Sequence, residues 1–235
     1  MNRFEGKHVA VTGAARGIGL AIAERLASEG ARLTLLDRDE AHFPGAKAHV
    51  VDISDRDAVF AAFTEPLDAL VANAGIGGPN EDGPGDRFDD IVRTNLYGTY
   101  WCIRAAEPLL PDGGRIVVTS SILARIGVAG YTGYCASKAA LLGLVRSFAA
   151  ELAPRRIQVN AICPGWVNTD MAWQGLSEWE GLTPDEAWDV AKLEVPLRRM
   201  SEPGEIAGTV AWLLSDDAVG VTGQAIDQNN GAFMI

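Results

Sequence analysis

Short apolar runs rich in Val, Ile and Leu alternate along this chain with stretches whose apolar positions recur every three or four residues. Residues 7–12 read as a first strand. Ile18, Ala21, Ile22 and Leu26 then fall at helical spacing, and Gly30 closes that helix. Further strands are predicted over 31–36 (ending at Asp37), 48–51, 67–72, 115–119 and 157–162, with a last one around Ala225 and Ile226. The runs are nearly continuous in apolar character, as strands covered on both faces of a parallel sheet are. Their alternation with helices predicts an α/β fold: a single doubly wound domain over residues 1–235 with a mostly parallel, seven-stranded sheet. In such sheets ligands bind beyond the carboxyl ends of the strands, so the residues at those ends carry the functional reading. Fourteen residues separate Asp37 from Asp52, which leaves little room for a helix between the second and third strands.

Composition narrows the partners. The chain has 235 residues, 48% of them hydrophobic, enough for one sizeable core. A net charge of -11 argues against nucleic acid or an anionic membrane surface as partner, and weighs against an acidic carrier protein. No uncharged apolar run approaches the ~18 residues that a membrane span needs. Cys102, Cys135 and Cys163 are too scattered for a disulfide framework, so reduced thiols and a cytoplasmic setting are expected. His8, His42 and His49 show no ligand spacing, and no metal is expected.

The first strand runs into Thr12-Gly13-Ala14-Ala15-Arg16-Gly17-Ile18-Gly19. Glycines between a strand and a helix permit a tight turn and close approach of backbone to a pyrophosphate, and the helix offers unpaired N–H groups. Dinucleotide binding is the reading, over an ordinary strand-to-helix turn, with Gly13, Arg16, Gly17, Ile18 and Gly19 at the phosphates. Asp37 lies 18 residues beyond Gly19. A carboxylate there accepts from ribose hydroxyls and repels a 2′-phosphate, which favours NAD over NADP, although Arg16 and Arg38 are near enough in sequence to favour the phosphate. After the third strand, Asp52 is placed at the adenine amino group and Ile53 on its ring, with a helix cap as the plainer alternative for Asp52. Asn73, Ala74 and Gly75, after the fourth strand, let backbone lie against the cofactor or simply form a turn.

Tyr134 and Lys138 stand at i and i+4 on a predicted helix and so share a face. A nearby ammonium favours the phenolate, which lowers a tyrosine pKa towards the range useful for proton transfer. The same spacing occurs by chance on surface helices, so the pair needs its neighbours to carry weight.

Taken together, these segments resemble the short-chain dehydrogenase/reductase family over nearly the whole chain. The resemblance rests on the 12–19 turn, on Asn73-Ala74-Gly75, on Asn95 in Arg93-Thr94-Asn95-Leu96, on Ser121 13 residues before Tyr134, on the Tyr134–Lys138 pair, and on Pro164-Gly165-Trp166-Val167-Asn168-Thr169. It implies a Rossmann domain with a helical substrate lid at about 170–196. It implies that Tyr134 is the general acid-base, that Lys138 lowers its pKa and bonds the nicotinamide ribose, and that Ser121 (rather than Ser120) stabilises charge on the substrate oxygen. Asn95 is implied to hold a water in a proton relay, and Pro164, Gly165, Val167 and Thr169 to touch nicotinamide and phosphate. The expected activity is hydride transfer between NAD and a secondary alcohol or its ketone at a CH–OH group, a polyol, sugar or cyclic alcohol being favoured. The alternatives are an NADPH-dependent carbonyl or 3-oxoacyl reductase and a non-catalytic dinucleotide sensor. A homotetramer or homodimer is implied as well.

Two features stand outside that pattern. Trp173, Trp179 and Trp188 fall in the lid beside seven carboxylates and the single Lys192; the tryptophans are read equally as substrate contacts or as packing. The C-terminal Asp227-Gln228-Asn229-Asn230 replaces a simpler Asp-Gly-Gly of many relatives, with no role assigned.

Overall fold

A computed structural model describes residues 2–80 and 83–234. Seven strands form one sheet in the order β3-β2-β1-β4-β5-β6-β7, and every adjacent pair is parallel. They are β1 His8–Thr12, β2 Arg32–Asp37, β3 Lys47–Val50, β4 Ala69–Ala72, β5 Arg115–Thr119, β6 Gln158–Pro164 and β7 Ala225–Gln228. The eight α-helices of the described residues are α1 Gly17–Ser28, α2 Arg56–Ala62, α3 Phe88–Val92, α4 Thr99–Ala106, α5 Thr132–Leu152, α6 Asp170–Ser177, α7 Pro184–Ala191 and α8 Pro203–Leu213.

Alternation along the strands splits the core into two layers. Ala10, Leu70, Ile116, Val118 and Val159 face α4 and α5. Val9, Val11, Leu35, Val71 and Ile162 face α1 and α8. The strand order reverses between β1 and β4, and the crevice outside their carboxyl ends is the switch point where such folds bind ligands.

The predicted strands all form. β3 departs in character, since Lys47, Ala48 and Val50 are exposed at the edge of the sheet. No helix joins β2 to β3, as the short spacing required. The helical stretch from Phe88 onward is less regular than its apolar pattern suggests: a π-helical segment, Arg93–Gly98, separates α3 from α4. Gly98 is where that segment meets Ile53, since a Cβ there would come within 2.8 Å of the Ile53 side chain.

The segment expected to form a lid, residues 170–196, carries α6 and α7. Thr183 and Glu186 form the capping box expected of Thr183-Pro184-Asp185-Glu186. Trp166, Trp173 and Trp188 pack around Leu176, Ala187, Ala191 and Met200, so two of the three lid tryptophans hold the lid together; Trp179 is exposed.

Candidate active site

The glycine turn is fixed by its own backbone demands. Gly13 has φ +68°, a conformation that favours glycine, and a Cβ on Gly19 would lie 1.9 Å from the Gly13 carbonyl oxygen. Thr12 Oγ1 accepts the backbone N–H groups of Asn73 and Ala74, each at 3.0 Å. Asn73 Nδ2 donates to the carbonyls of Thr12 and Gly13, both at 3.2 Å. The Asn73-Ala74-Gly75 segment therefore braces the turn. No side chain caps the first turn of α1, which leaves its N–H groups for an anion. This turn, closed so tightly that Cβ atoms on Gly13 and Gly19 would collide with Ala74 and with the Gly13 carbonyl, presents uncapped N–H groups that fit the pyrophosphate of a dinucleotide.

At the adenosine end, Asp37 accepts the N–H of Ala15 at 2.9 Å and that of Asp39 at 3.0 Å, one on each carboxylate oxygen. Arg16 is exposed and pairs with Asp39 at 3.4 Å. Asp52 accepts the Ser54 N–H, while the cap of α2 is supplied by Asp55. Ile53 is buried in the core, with its side chain and its carbonyl oxygen both against Gly98.

At the other end, Ser121, Tyr134 and Lys138 converge. Ser121 caps the short turn Ile122–Ala124 and accepts the Leu123 N–H at 3.1 Å, which leaves its own proton free to donate. Burial pushes the Tyr134 phenol above its ordinary pKa, and a hydrogen bond with Ser121 pulls against that shift. Ser120 points away, donating to the Lys138 carbonyl at 2.8 Å within the core. Lys138 is 4% exposed, and its Nζ donates to the Thr119 carbonyl at 3.0 Å. It lies 5.6 Å from the Tyr134 ring centroid, and burial pushes its pKa down to about 8. Desolvation thus disfavours the charged form of each group, and Ser121 rather than Lys138 is the partner that pulls the Tyr134 phenol down.

Asn95 is fully buried in the π-helical segment. Its Oδ1 accepts the Ile76 N–H at 2.8 Å, and its Nδ2 donates to the Ile76 carbonyl and to Ser137 Oγ. The amide is committed to these partners. A Cβ on Gly75 would stand 3.4 Å from Lys138 Nζ and 3.0 Å from Asn95 Oδ1, so Gly75 keeps that corner open.

Pro164 ends β6 and Gly165 follows it; Val167 is buried and bridged to Ser201, and Thr169 caps α6 with its methyl 3.5 Å from a Cβ built on Gly17. Lid and glycine turn therefore meet. Met171 Sδ sits 3.3 Å from a Cβ built on Gly77, a position 3.8 Å from the Tyr134 ring. Tyr131 Oη donates to Glu178 at 3.0 Å, tying the lid to the start of α5, and burial followed by Glu178 pushes Tyr131 up to about 12. Thr12, Ile76, Thr119 and Ser137 are supporting residues that sequence reasoning missed. Their roles run through contacts between distant segments, so no local motif marks them.

No helix among the described residues is long and apolar enough to cross a membrane. A family model described as Enoyl-(Acyl carrier protein) reductase matches residues 13–232. The chain is 38% identical, over 97% of its length and 98% of the relative's, to the 3-oxoacyl-[acyl-carrier-protein] reductase FabG of Staphylococcus aureus. Among solved structures it is similar to levodione reductase, with a TM-score of 0.91 and 32% identity over 97% of this chain and 98% of that one. It is also similar to BdcA in complex with NADPH, with a TM-score of 0.86 and 33% identity over 98% and 96%. With the glycine cradle and the Ser121–Tyr134–Lys138 cluster in place, these likenesses show that the chain belongs to the short-chain dehydrogenase/reductase family, whose oxidoreductases use a nicotinamide cofactor.

Proposed function

We propose that the protein reduces a ketone of the 3-oxoacyl kind, with Tyr134 as proton donor. The observation that carries this is the convergence of Ser121, Tyr134 and Lys138 at the carboxyl ends of the strands, beside the glycine cradle. FabG and levodione reductase are reductases by name, which moves the reading from the polyol or sugar dehydrogenase suggested by sequence towards its 3-oxoacyl alternative. When bound, the nicotinamide supplies the hydride. Tyr134 gives its proton to the substrate oxygen, and Ser121 donates a hydrogen bond to that oxygen as charge develops. Lys138 has three donors, of which Thr119 takes one; the others serve a ribose hydroxyl and a relay water at the Asn95 carbonyl.

Glu178 places a lid carboxylate beside the entrance, hydrogen-bonded to Tyr131. An uncharged 3-oxo ester or thioester suits this setting better than a polyanionic carrier. For the cofactor, the lines of support diverge. The similar BdcA structure holds NADPH, and Arg16 and Arg38 stand near Asp37 in sequence. The carboxylate of Asp37, held in place by two backbone N–H groups, disfavours a 2′-phosphate, and Arg16 is already paired. We give this chain's own carboxylate the greater weight and infer NADH, with NADPH as the second reading. A cytoplasmic setting follows from the reduced thiols, and a homotetramer or homodimer is proposed through the helical face that exposes Tyr97 and Tyr100.

The test is a panel of 3-oxo esters, cyclic ketones and sugars assayed with NADH and NADPH. Turnover of 3-oxo esters, with NADH preferred at least ~10-fold and that preference lost in Asp37→Asn, is expected. Turnover of sugars alone would return the reading to a polyol or sugar dehydrogenase, and equal use of NADPH would remove the role given to Asp37.

A further inference from the structure

The C-terminal segment that departs from the family pattern touches three parts of the site through consecutive residues. Asp227, on β7, receives a two-pronged ion pair from Arg125, with Nε–Oδ1 at 3.2 Å and Nη2–Oδ2 at 3.3 Å. The two side chains are 22% and 15% exposed, so solvent screens the pair little. Arg125 ends the short turn that Ser121 begins, and the loop beyond it, residues 126–130, is exposed. Gln228 accepts the Gly165 N–H through its carbonyl at 3.1 Å. Asn229 lies so close to Gly165 that a Cβ there would fall 2.8 Å from the Asn229 Cβ. Asn230 donates from Nδ2 to the Arg199 carbonyl and to Ser201 Oγ, both at 3.1 Å, and its carbonyl accepts the Leu197 N–H. Residues 197–201 return the chain from the 170–196 segment to α8.

We infer that Asp227 is a positioning residue for Ser121: through Arg125 it fixes the serine turn to the sheet edge that also sets Gly165 and residues 197–201. The inference rests on the reading of Ser121 as the residue that bonds the substrate oxygen. The short turn is otherwise closed by local bonds, Leu123 N–H to Ser121 Oγ, Ala124 N–H to the Ser121 carbonyl and Arg125 N–H to the Ile122 carbonyl. Ser120 anchors its start to β6 by an N–H bond to the Ile162 carbonyl at 2.8 Å. Its far end is tied to the sheet by the ion pair. An oxygen-stabilising donor works only when held within a few tenths of an ångström of its target, so a fixed far end matters to rate more than to folding.

A double-mutant cycle tests this with ethyl 3-oxobutanoate, or the best ketone of the panel, as substrate. Asp227→Asn is expected to lower kcat by ~10-fold or more in the native background and by less than ~2-fold in a Ser121→Ala background, because it acts through a hydroxyl no longer there. The dissociation constant for NADH is expected to stay within ~2-fold, and Asp227→Glu to recover part of kcat. An equal loss in both backgrounds would mean general support of the structure and would overturn the inference. If Asp227→Asn does not fold, Arg125→Lys goes through the same cycle with the same deciding outcomes. Undiminished kcat in Ser121→Ala itself would instead bring down the catalytic reading on which the inference rests.

Discussion

At the amino ends of the strands, charges meet their opposites. Arg3 and Arg25 converge on Glu29, Arg32 and Lys47 on Glu65, Lys7 reaches Asp68, and Arg115 reaches Asp216. At the carboxyl ends, Lys138 is buried against a carbonyl and pairs with no carboxylate among the described residues, and desolvation raises the pKa of Tyr134. Three of the four buried polar side-chain atoms without a partner among the described residues, on Thr119, Gln228 and Asn229, lie at this end too. The same sheet thus has one edge where charges are paired and another where, beside the Arg125–Asp227 pair, the cluster around Lys138 is left open. Buried titratable groups without compensation destabilise a fold and are kept where chemistry needs them.

Substitutions should break this contrast in order of size. Tyr134→Phe removes the proton donor, and kcat is expected to fall by ~10³-fold or more with NADH affinity unchanged, as read by steady-state kinetics and fluorescence titration. Ser121→Ala removes one donor to the substrate oxygen and should lower kcat by ~10²-fold; the pH–rate limb belonging to Tyr134 should move upward, since Ser121 holds that pKa down. At the opposite edge, Glu29→Gln should leave kcat unchanged and lower stability by about 2 kcal/mol at neutral pH in urea unfolding. The sign follows from the pKa of Glu29, which Arg3 and then Arg25 hold at about 2 against 4.5 unpaired. The native carboxylate therefore stabilises the fold above pH 4.5 and loses that contribution as pH falls towards 2, whereas the glutamine variant should show a flatter profile across that window.

How much of this was legible in the sequence depended on whether the signal was local. The turn at Gly13, Gly17 and Gly19 and the strand-end Asp37 sit within one strand-helix-strand unit, and the pattern located them. Ser121 was separable from Ser120 only by its spacing to Tyr134, and the structure gives the reason: Ser120 is spent on the Lys138 carbonyl. The π-helical segment around Asn95 was hidden, because the apolar period continues through it while the backbone shifts to meet Ile76 and Ile53. The upward shift of Tyr134 is hidden for a similar reason. A lysine four residues away is a sequence fact, whereas burial of both groups is a property of the packed sheet. The role of Asp227 needs a contact spanning 102 residues, beyond any local pattern.

The central claim, that the carboxyl edge gives up stability for chemistry, meets its most direct test in Lys138→Met measured two ways on one preparation. Methionine fills similar volume without a charge. In native protein the Lys138 pKa of about 8 lies below its unfolded value of 10.5, so the protonated form opposes folding below pH 8 and that penalty is relieved as pH rises from 8 to 10.5. The account predicts that kcat/KM falls by ~10²-fold while the cofactor-free variant at pH 7 gains on the order of 2 kcal/mol in stability, with the gain shrinking as pH approaches 10.5. A variant that keeps its activity, or loses both activity and stability, would contradict it.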